Sequence, residues 1–135
     1  MNTQEVASSL SSSTNLVVCK VTRSVTGEGP VPASAFTLQV IGNNPSQSSF
    51  PGSPPPTCTT ITLGAGGFQV REVGATSGLD ASECATYGAP GSNEVIHDPR
   101  LGQEYCVNFS QGCSGTIAAS ETKTCTVTNT AVDIS

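Results

Sequence analysis

The chain has little charge and few aromatic residues, and several common functional features are missing from its 135 residues. Only 11% of the residues are charged, no tryptophan is present, and no cluster of Lys or Arg accompanies the net charge of −5. Nucleic acid and anionic lipid are therefore not expected as partners, because both require basic patches. No apolar run approaches the length of a membrane span, so we expect no membrane insertion.

Motifs of metal binding and catalysis are also missing. The sequence contains no CxxC pair, HExxH, EF-hand loop or GxSxG motif. Its single His gives little support for a zinc site or a catalytic triad. The residues that could ligate a cation lie close together without a fixed ligand spacing: Asp80, Glu83, Glu94, His97 and Asp98. We interpret them as a solvated acidic loop and expect no metal, no cofactor and no enzymatic activity on another molecule.

Turn-forming residues and short alternating segments dominate what is present. The 14 Gly and 9 Pro, together with many Ser and Thr, are typical of short strands joined by turns, and no long helical pattern occurs. We predict one all-β domain over residues 15–135, with a long loop insertion at about residues 74–104. About seven strands are expected, near residues 15–24, 35–42, 58–64, 67–74, 104–110, 115–118 and 123–131.

Three polar residues share a strand face with apolar neighbours. Each of Lys20, Glu72 and Asn129 lies two and four positions after apolar residues of its own segment, in LVVCKV, FQVREV and TCTVTN. Because residues two apart on a strand face the same way, all three side chains are predicted to point into the core. Burying a charge without a partner is costly, which indicates that the three residues satisfy one another.

This set of residues is chemically complete for an internal crosslink. An apolar environment lowers the pKa of a Lys amine and raises that of a Glu, so Lys20 can act as a neutral nucleophile while Glu72 holds a proton. Glu72 could hydrogen-bond the Asn129 carboxamide and carry the proton as the amine attacks and ammonia leaves. The product would be an amide between Lys20 and Asn129. The alternative is a buried polar network or ion pair without a bond.

Six cysteines in a small β-rich chain indicate disulfides and therefore an oxidising, extracellular setting. Six cysteines allow fifteen pairings, and the sequence alone does not select one. We favour a bridge between Cys113 and Cys125, because CSGTIAASETKTC reads as a turn between two strand ends. A bridge between Cys84 and Cys106 would pin the insertion to the domain. Cys19 and Cys58 are then left to pair by elimination.

The order of these motifs resembles a known family. The segments NLVVCKV, GGFQVREVG and CTVTNTA are similar to those of Cna B-type and prealbumin-like domains in prokaryotic surface proteins and pilins. The resemblance extends over about residues 14–131 and includes ASAFTLQVIGNNPSQSSFPGS and CSGTIAASETKTCTVTN. It implies an immunoglobulin-like β-sandwich in which Lys20 is the nucleophile, Asn129 the electrophile and Glu72 the proton carrier of an isopeptide bond. The insertion and the six cysteines depart from the family pattern.

Residues 1–14 are polar and rich in Ser, and we interpret them as a linker or as a donor strand. A tail that adds a strand to the open sheet edge of the next subunit is held by backbone hydrogen bonds. Val6 and Leu10 would be its few apolar anchors. Repetition of this head-to-tail contact between copies of the chain would make a filament.

Asn108 begins a glycosylation sequon, Asn108-Phe109-Ser110. On a strand its side chain faces away from those of Val107 and Phe109, so attachment of a glycan is sterically plausible.

These features predict a structural protein rather than an enzyme. The first hypothesis is a pilus-like subunit of an extracellular surface filament at the cell surface. One alternative is a stalk domain of a larger surface adhesin. Another is a module that binds a surface glycan or protein through the insertion, where Tyr87 is the only aromatic residue available for sugar stacking.

Overall fold

The protein is an all-β sandwich. The computed structural model describes residues 13–24, 31–77, 83–98 and 103–132. Within these residues there are two 3₁₀ turns, Ala33–Ala35 and Gln111–Cys113. The strands are β1 (Asn15–Ser24), β2 (Thr37–Asn43), β3 (Ser49–Pro51), β4 (Thr59–Thr62), β5 (Gly64–Glu72), β6 (Glu94–Asp98), β7 (Gln103–Phe109), β8 (Ser114–Ile117) and β9 (Thr122–Val132).

Two sheets face each other. One has five strands in the order β4-β1-β9-β7-β6, and the other has four in the order β3-β2-β5-β8. The strands β1 and β9 are parallel neighbours over ten residue pairs, from Asn15 opposite Thr122 to Ser24 opposite Ala131. The other strand pairs are antiparallel. This arrangement confirms the predicted immunoglobulin-like β-sandwich.

One apolar cluster fills the space between the sheets. It is built from the alternate, inward-facing residues of the strands, as the two-residue period of a strand requires. Its buried members are Leu16, Val18, Leu38, Val40, Phe50, Ile61, Leu63, Phe68, Val70, Val107, Cys113, Ile117, Cys125 and Val127. Burial of such side chains, at about 1.5–3 kcal/mol for each of the larger ones, is the main force that holds the two sheets together.

The structure differs from the sequence prediction in two segments that we expected to be loops. The first is β3, a short edge strand that lies between residues 42 and 57 and ends at Pro51, where a proline is tolerated. The second is β6, which lies inside the predicted loop insertion and pairs with β7. Its apolar residues point to both sides, Val95 to one small cluster and Ile96 to the main core, so the segment lacks the alternation of a half-buried strand.

Residues 83–93 of the insertion form a third layer on the outer face of the five-stranded sheet. Its buried residues Cys84 and Ala89 pack with Val95, Cys106 and Val132 in a second apolar cluster, and Tyr87 lies half-buried against them. The insertion is thus a packed part of the domain wherever the structure describes it. No helix long and apolar enough to cross a membrane is found in the described part of the chain.

Candidate crosslinking site

The structure brings Lys20, Glu72 and Asn129 together in the core. Lys20 lies on β1 and Asn129 on β9, the parallel neighbours of the five-stranded sheet, and Glu72 ends β5 in the opposite sheet. All three are buried, with exposed fractions of 0%, 4% and 0%. The strand alternation read from the sequence therefore identified a real spatial cluster that spans both sheets.

Glu72 lies between the other two side chains. Its Oε1 is 3.1 Å from Nζ of Lys20, which is an ion-pair distance. Its Oε2 accepts a hydrogen bond from Nδ2 of Asn129 at 2.5 Å. The carboxylate is thus placed to exchange protons with both the amine and the carboxamide nitrogen.

The electrostatics of the cluster shift both ionisable side chains toward their uncharged forms. Burial lowers the pKa of Lys20 from 10.5 to about 8, against the raising effect of the nearby Glu72 carboxylate. Burial also raises the pKa of Glu72 above 4.5, against the lowering effects of the Lys20 charge and of the hydrogen bond from Asn129. In both groups desolvation outweighs the attraction between opposite charges, so a neutral amine beside a protonated carboxyl group becomes accessible.

The surroundings of the Lys20 amine are largely apolar. Its Nζ lies 4.8 Å from the centroid of the Phe36 ring, and Glu72 is its only polar partner among the described residues. Oδ1 of Asn129 likewise has no hydrogen-bond partner in the described part of the chain. Buried polar atoms are normally paired, and unpaired ones in a native core require an explanation.

This arrangement can carry out an amide exchange. A half-turn of the Asn129 carboxamide exchanges its oxygen and nitrogen, and a protonated Glu72 could then donate to Oδ1 and make the carbonyl carbon more electrophilic. A neutral Lys20 amine in the same buried site is the nucleophile that such a carbon needs. Without the reaction, the same atoms form a buried ion pair with unsatisfied polar atoms, which is costly for a core.

Two further residues of the site were missed by sequence reasoning. Gly52 is buried, and a Cβ atom added to it would clash with the side chain of Lys20. Glu94, at the start of β6, lies opposite Val107, which in turn lies opposite Asn129, and its charge contributes to the raised pKa of Glu72. Both contacts depend on how strands are aligned across the sandwich, and no local sequence signal reports that alignment.

The structure contains the three disulfides that we favour from the sequence. Each closes a loop between a strand and a neighbouring segment, with S–S distances of 2.01 to 2.02 Å. The bridges are Cys19–Cys58, Cys84–Cys106 and Cys113–Cys125, and no free cysteine remains among the described residues. The second bridge attaches the insertion to β7, as expected of a clip for that segment.

The remaining candidates from the sequence are dispersed. Asn108 is half-buried and lines a cavity of about 270 Å³ beside Gly91 of the insertion. A glycan attached to Asn108 would have to extend through that cavity to reach solvent. His97 contacts Glu104 across the pair β6–β7 at the surface. Glu83 is exposed, and no group of three or more potential metal ligands occurs in the described ranges.

Several of the predicted residues fall outside the part of the chain that the structure describes. They are Val6, Leu10 and Asp80, together with the side chain of Asp98. The proposed donor-strand tail therefore stays a prediction.

Comparisons of the chain with protein-family models, with curated proteins and with solved structures find no match. The geometry of the buried cluster is thus the observation from which a function can be argued.

Proposed function

We propose that this chain is a self-crosslinked structural domain of an extracellular surface filament, with a pilus-like, head-to-tail arrangement of subunits. The observation that carries the proposal is the buried contact of Lys20 and Asn129 with one carboxyl group, that of Glu72. An enzyme needs a site that a substrate can enter, whereas these three residues are enclosed and can react with one another.

The reaction is an internal transamidation. The Nζ of Lys20 forms a bond to Cγ of Asn129, and the bond from Cγ to Nδ2 breaks. Glu72 takes a proton from the attacking amine and gives a proton to the leaving nitrogen, which departs as ammonia. The carboxyl group ends the reaction in the state in which it began, and no oxidant, metal or cofactor takes part.

The disulfides support an extracellular setting. Three bridges in a small domain are typical of an oxidising compartment, where disulfides form and persist. An amide crosslink adds a connection that reduction does not break. A domain that carries both kinds of bond is suited to a structure that must last outside the cell, such as a surface filament.

Assembly into a filament would use the sheet edges. The edge strands among the described residues are β4 and β6 in one sheet and β3 and β8 in the other. An edge strand offers backbone groups to a strand from a neighbouring copy, and the tail with Val6 and Leu10 is our candidate for that strand. Electron microscopy of the purified protein tests this part: fibres that survive dilution support the filament, whereas monodisperse particles favour the stalk of a larger adhesin.

The crosslink itself is tested by the intact mass of the reduced, denatured protein. We expect a deficit of about 17 Da from the loss of one ammonia, since an amide survives reduction and a disulfide does not. The deficit should disappear in Lys20→Ala and in Glu72→Ala. Lys123→Ala is the matched control, because Lys123 is the only other lysine and lies at the surface, where its Nζ donates to the carbonyl oxygen of Thr116.

A mass equal to that of the unmodified sequence would contradict the crosslink. The cluster would then be a buried polar network, and the disulfides and subunit contacts would supply the durability of the domain. A deficit that persists in Lys20→Ala would likewise contradict the proposal, because ammonia would then be lost elsewhere.

A further inference from the structure

A polar groove opens between the two sheets beside Ser114, the first residue of β8. The strand β8 pairs with β5 only as far as Gln69, which lies opposite Ser114, so the following residues of β5 have no neighbouring strand on that side. The groove occupies this gap and is bounded on the far side by Asn93 and Glu94, where the edge strand β6 begins. Its volume is about 340 Å³, within the range of small-molecule sites in proteins.

Most polar side chains of the groove have no partner within the described part of the protein. Gln69, Arg71, Asn93, Glu94 and Gln111 line it, and none of these side chains forms a hydrogen bond or ion pair with another residue that the structure describes. Ser110 also lines the groove, but its hydroxyl group already accepts a hydrogen bond from the N–H of Thr126. Arg71 and Glu94 carry opposite charges in the same groove without pairing. Polar groups that converge on a concave surface without partners are available to a ligand.

The chemistry of the lining indicates the class of ligand. Three of the side chains are carboxamides, and each can donate and accept hydrogen bonds at once, as the hydroxyl groups of a sugar require. Phe109, half-buried at the end of β7, adds an aromatic wall for the apolar face of a sugar ring. The one positive and the one negative charge of the lining cancel, so the groove has no net attraction for a charged ligand and suits a neutral one.

We propose that this groove binds a single neutral sugar ring, such as the terminal hexose of a surface glycan. The volume limits the occupant to about one ring, at the lower end of the usual range for ligand sites. The lining of the groove does not include Lys20, Glu72 or Asn129 and shares only Glu94 with their surroundings, so binding does not require the crosslink. The inference therefore goes beyond the structural role and supplies an adhesive function to a surface protein.

The test is a titration of the ¹⁵N-labelled protein with free monosaccharides, followed by NMR. The probes are glucose, galactose, mannose and N-acetylglucosamine, with glucuronate as a charged comparison and an amidated tripeptide as a strand-like competitor. We expect saturable shifts of the side-chain amide signals of Gln69, Asn93 and Gln111 with at least one neutral sugar, at about millimolar affinity.

Variants locate the binding. Gln111→Ala, on an exposed turn, should weaken the sugar by about tenfold through the loss of its hydrogen bonds. Gln47→Ala is the matched control, since Gln47 is an exposed glutamine in the loop between β2 and β3. Glu94→Gln removes the negative charge, so that Arg71 carries the only charge of the groove lining. This variant should improve the binding of glucuronate relative to glucose. Phe109→Leu keeps an apolar side chain against the core but should lose the sugar.

Three results would overturn the proposal. One is the absence of any saturable shift with all four neutral sugars. Another is a set of shifts that map away from the groove or are equally weakened by Gln47→Ala. The third is a saturable shift of these side-chain amide signals with the tripeptide but with no sugar, which would make the groove an acceptor for a peptide strand.

Discussion

Gly52 packs directly against the side chain of Lys20. A Cβ atom at position 52 would lie 2.7 Å from Cγ of Lys20 and 2.6 Å from the carbonyl oxygen of Ala33. Neither distance is compatible with a real side chain, so the small residue after β3 creates the space that the stem of Lys20 occupies. The position of the Lys20 amine thus depends on a residue that carries no functional group.

Gly52→Ala should slow or abolish the loss of ammonia. The added methyl group must displace the Lys20 stem or the backbone at Ala33, at a cost of about 1–3 kcal/mol, and this moves the amine away from Asn129. The matched control is Gly67→Ala, whose Cβ would have no neighbour closer than 3.9 Å. Intact mass over time after refolding measures the reaction, and equal rates for Gly52→Ala and the unaltered chain would show that this packing does not position Lys20.

The stability of variants that cannot crosslink should depend on pH through Lys20. The folded-state pKa of Lys20 is about 8, below its value of 10.5 in the unfolded chain, so the unfolded chain binds more protons between these values. The free energy of unfolding should therefore rise as pH rises through this window, by at most about 1.4 kcal/mol per pH unit. The raised pKa of Glu72 has the opposite sign: its contribution is present below pH 4.5 and is lost as pH rises through the folded-state pKa.

Two variants isolate this effect. Asn129→Ala keeps Lys20 but removes the electrophile, and Lys20→Met removes the titrating amine while filling a similar volume. Urea denaturation at pH 8, 9 and 10 should show the rise in stability only in Asn129→Ala. An equal pH dependence in the two variants would mean that Lys20 titrates normally in the folded core.

The disulfide Cys84–Cys106 should stabilise the insertion without affecting the crosslink. It closes a separation of 22 residues and anchors the second apolar cluster to β7. Replacing both cysteines by Ala should lower the free energy of unfolding by about 2–4 kcal/mol. Amide hydrogen exchange should become faster at Tyr87 and Ala89, whose N–H groups donate to the carbonyl oxygen of Cys84.

The mass deficit of the protein should remain in this double variant, because Lys20, Glu72 and Asn129 lie between the two sheets, whereas the bridge lies on the outer face of the five-stranded sheet. A loss of the deficit would show that the insertion and the crosslinking site are coupled, contrary to the separate clusters that the structure contains.

The cluster of Lys20, Glu72 and Asn129 could be predicted from the sequence because its prediction depends on a strictly local rule. On a strand, residues two apart share a face, so a polar residue that continues an apolar face is recognisable without knowledge of the fold. The contact of Glu72 with both partners at once could not be predicted in this way. It depends on how β5 lies over β1 and β9, and that packing is set by the whole core.

The insertion shows where the sequence was less informative. Its strand β6 is covered on both sides, with Val95 beneath the outer layer and Ile96 against the core, so its pattern is not that of a half-buried strand. The polar groove could not be predicted from the sequence either. Its residues 69–71, 93–94 and 109–111 are far apart in the chain, and they line a groove because β8 begins opposite Gln69 and leaves the last residues of β5 uncovered.

The parallel pairing of β1 and β9 has a mechanical consequence. Opposite forces applied at Asn15 and Val132 would stretch the domain along these two strands and load their ten paired residues in shear, so that the hydrogen bonds would have to fail together. An amide between Lys20 and Asn129 would divert that tension from one strand to the other. The 108 residues between positions 20 and 129 would then carry no load, and about 350–400 Å of chain would be withheld from extension.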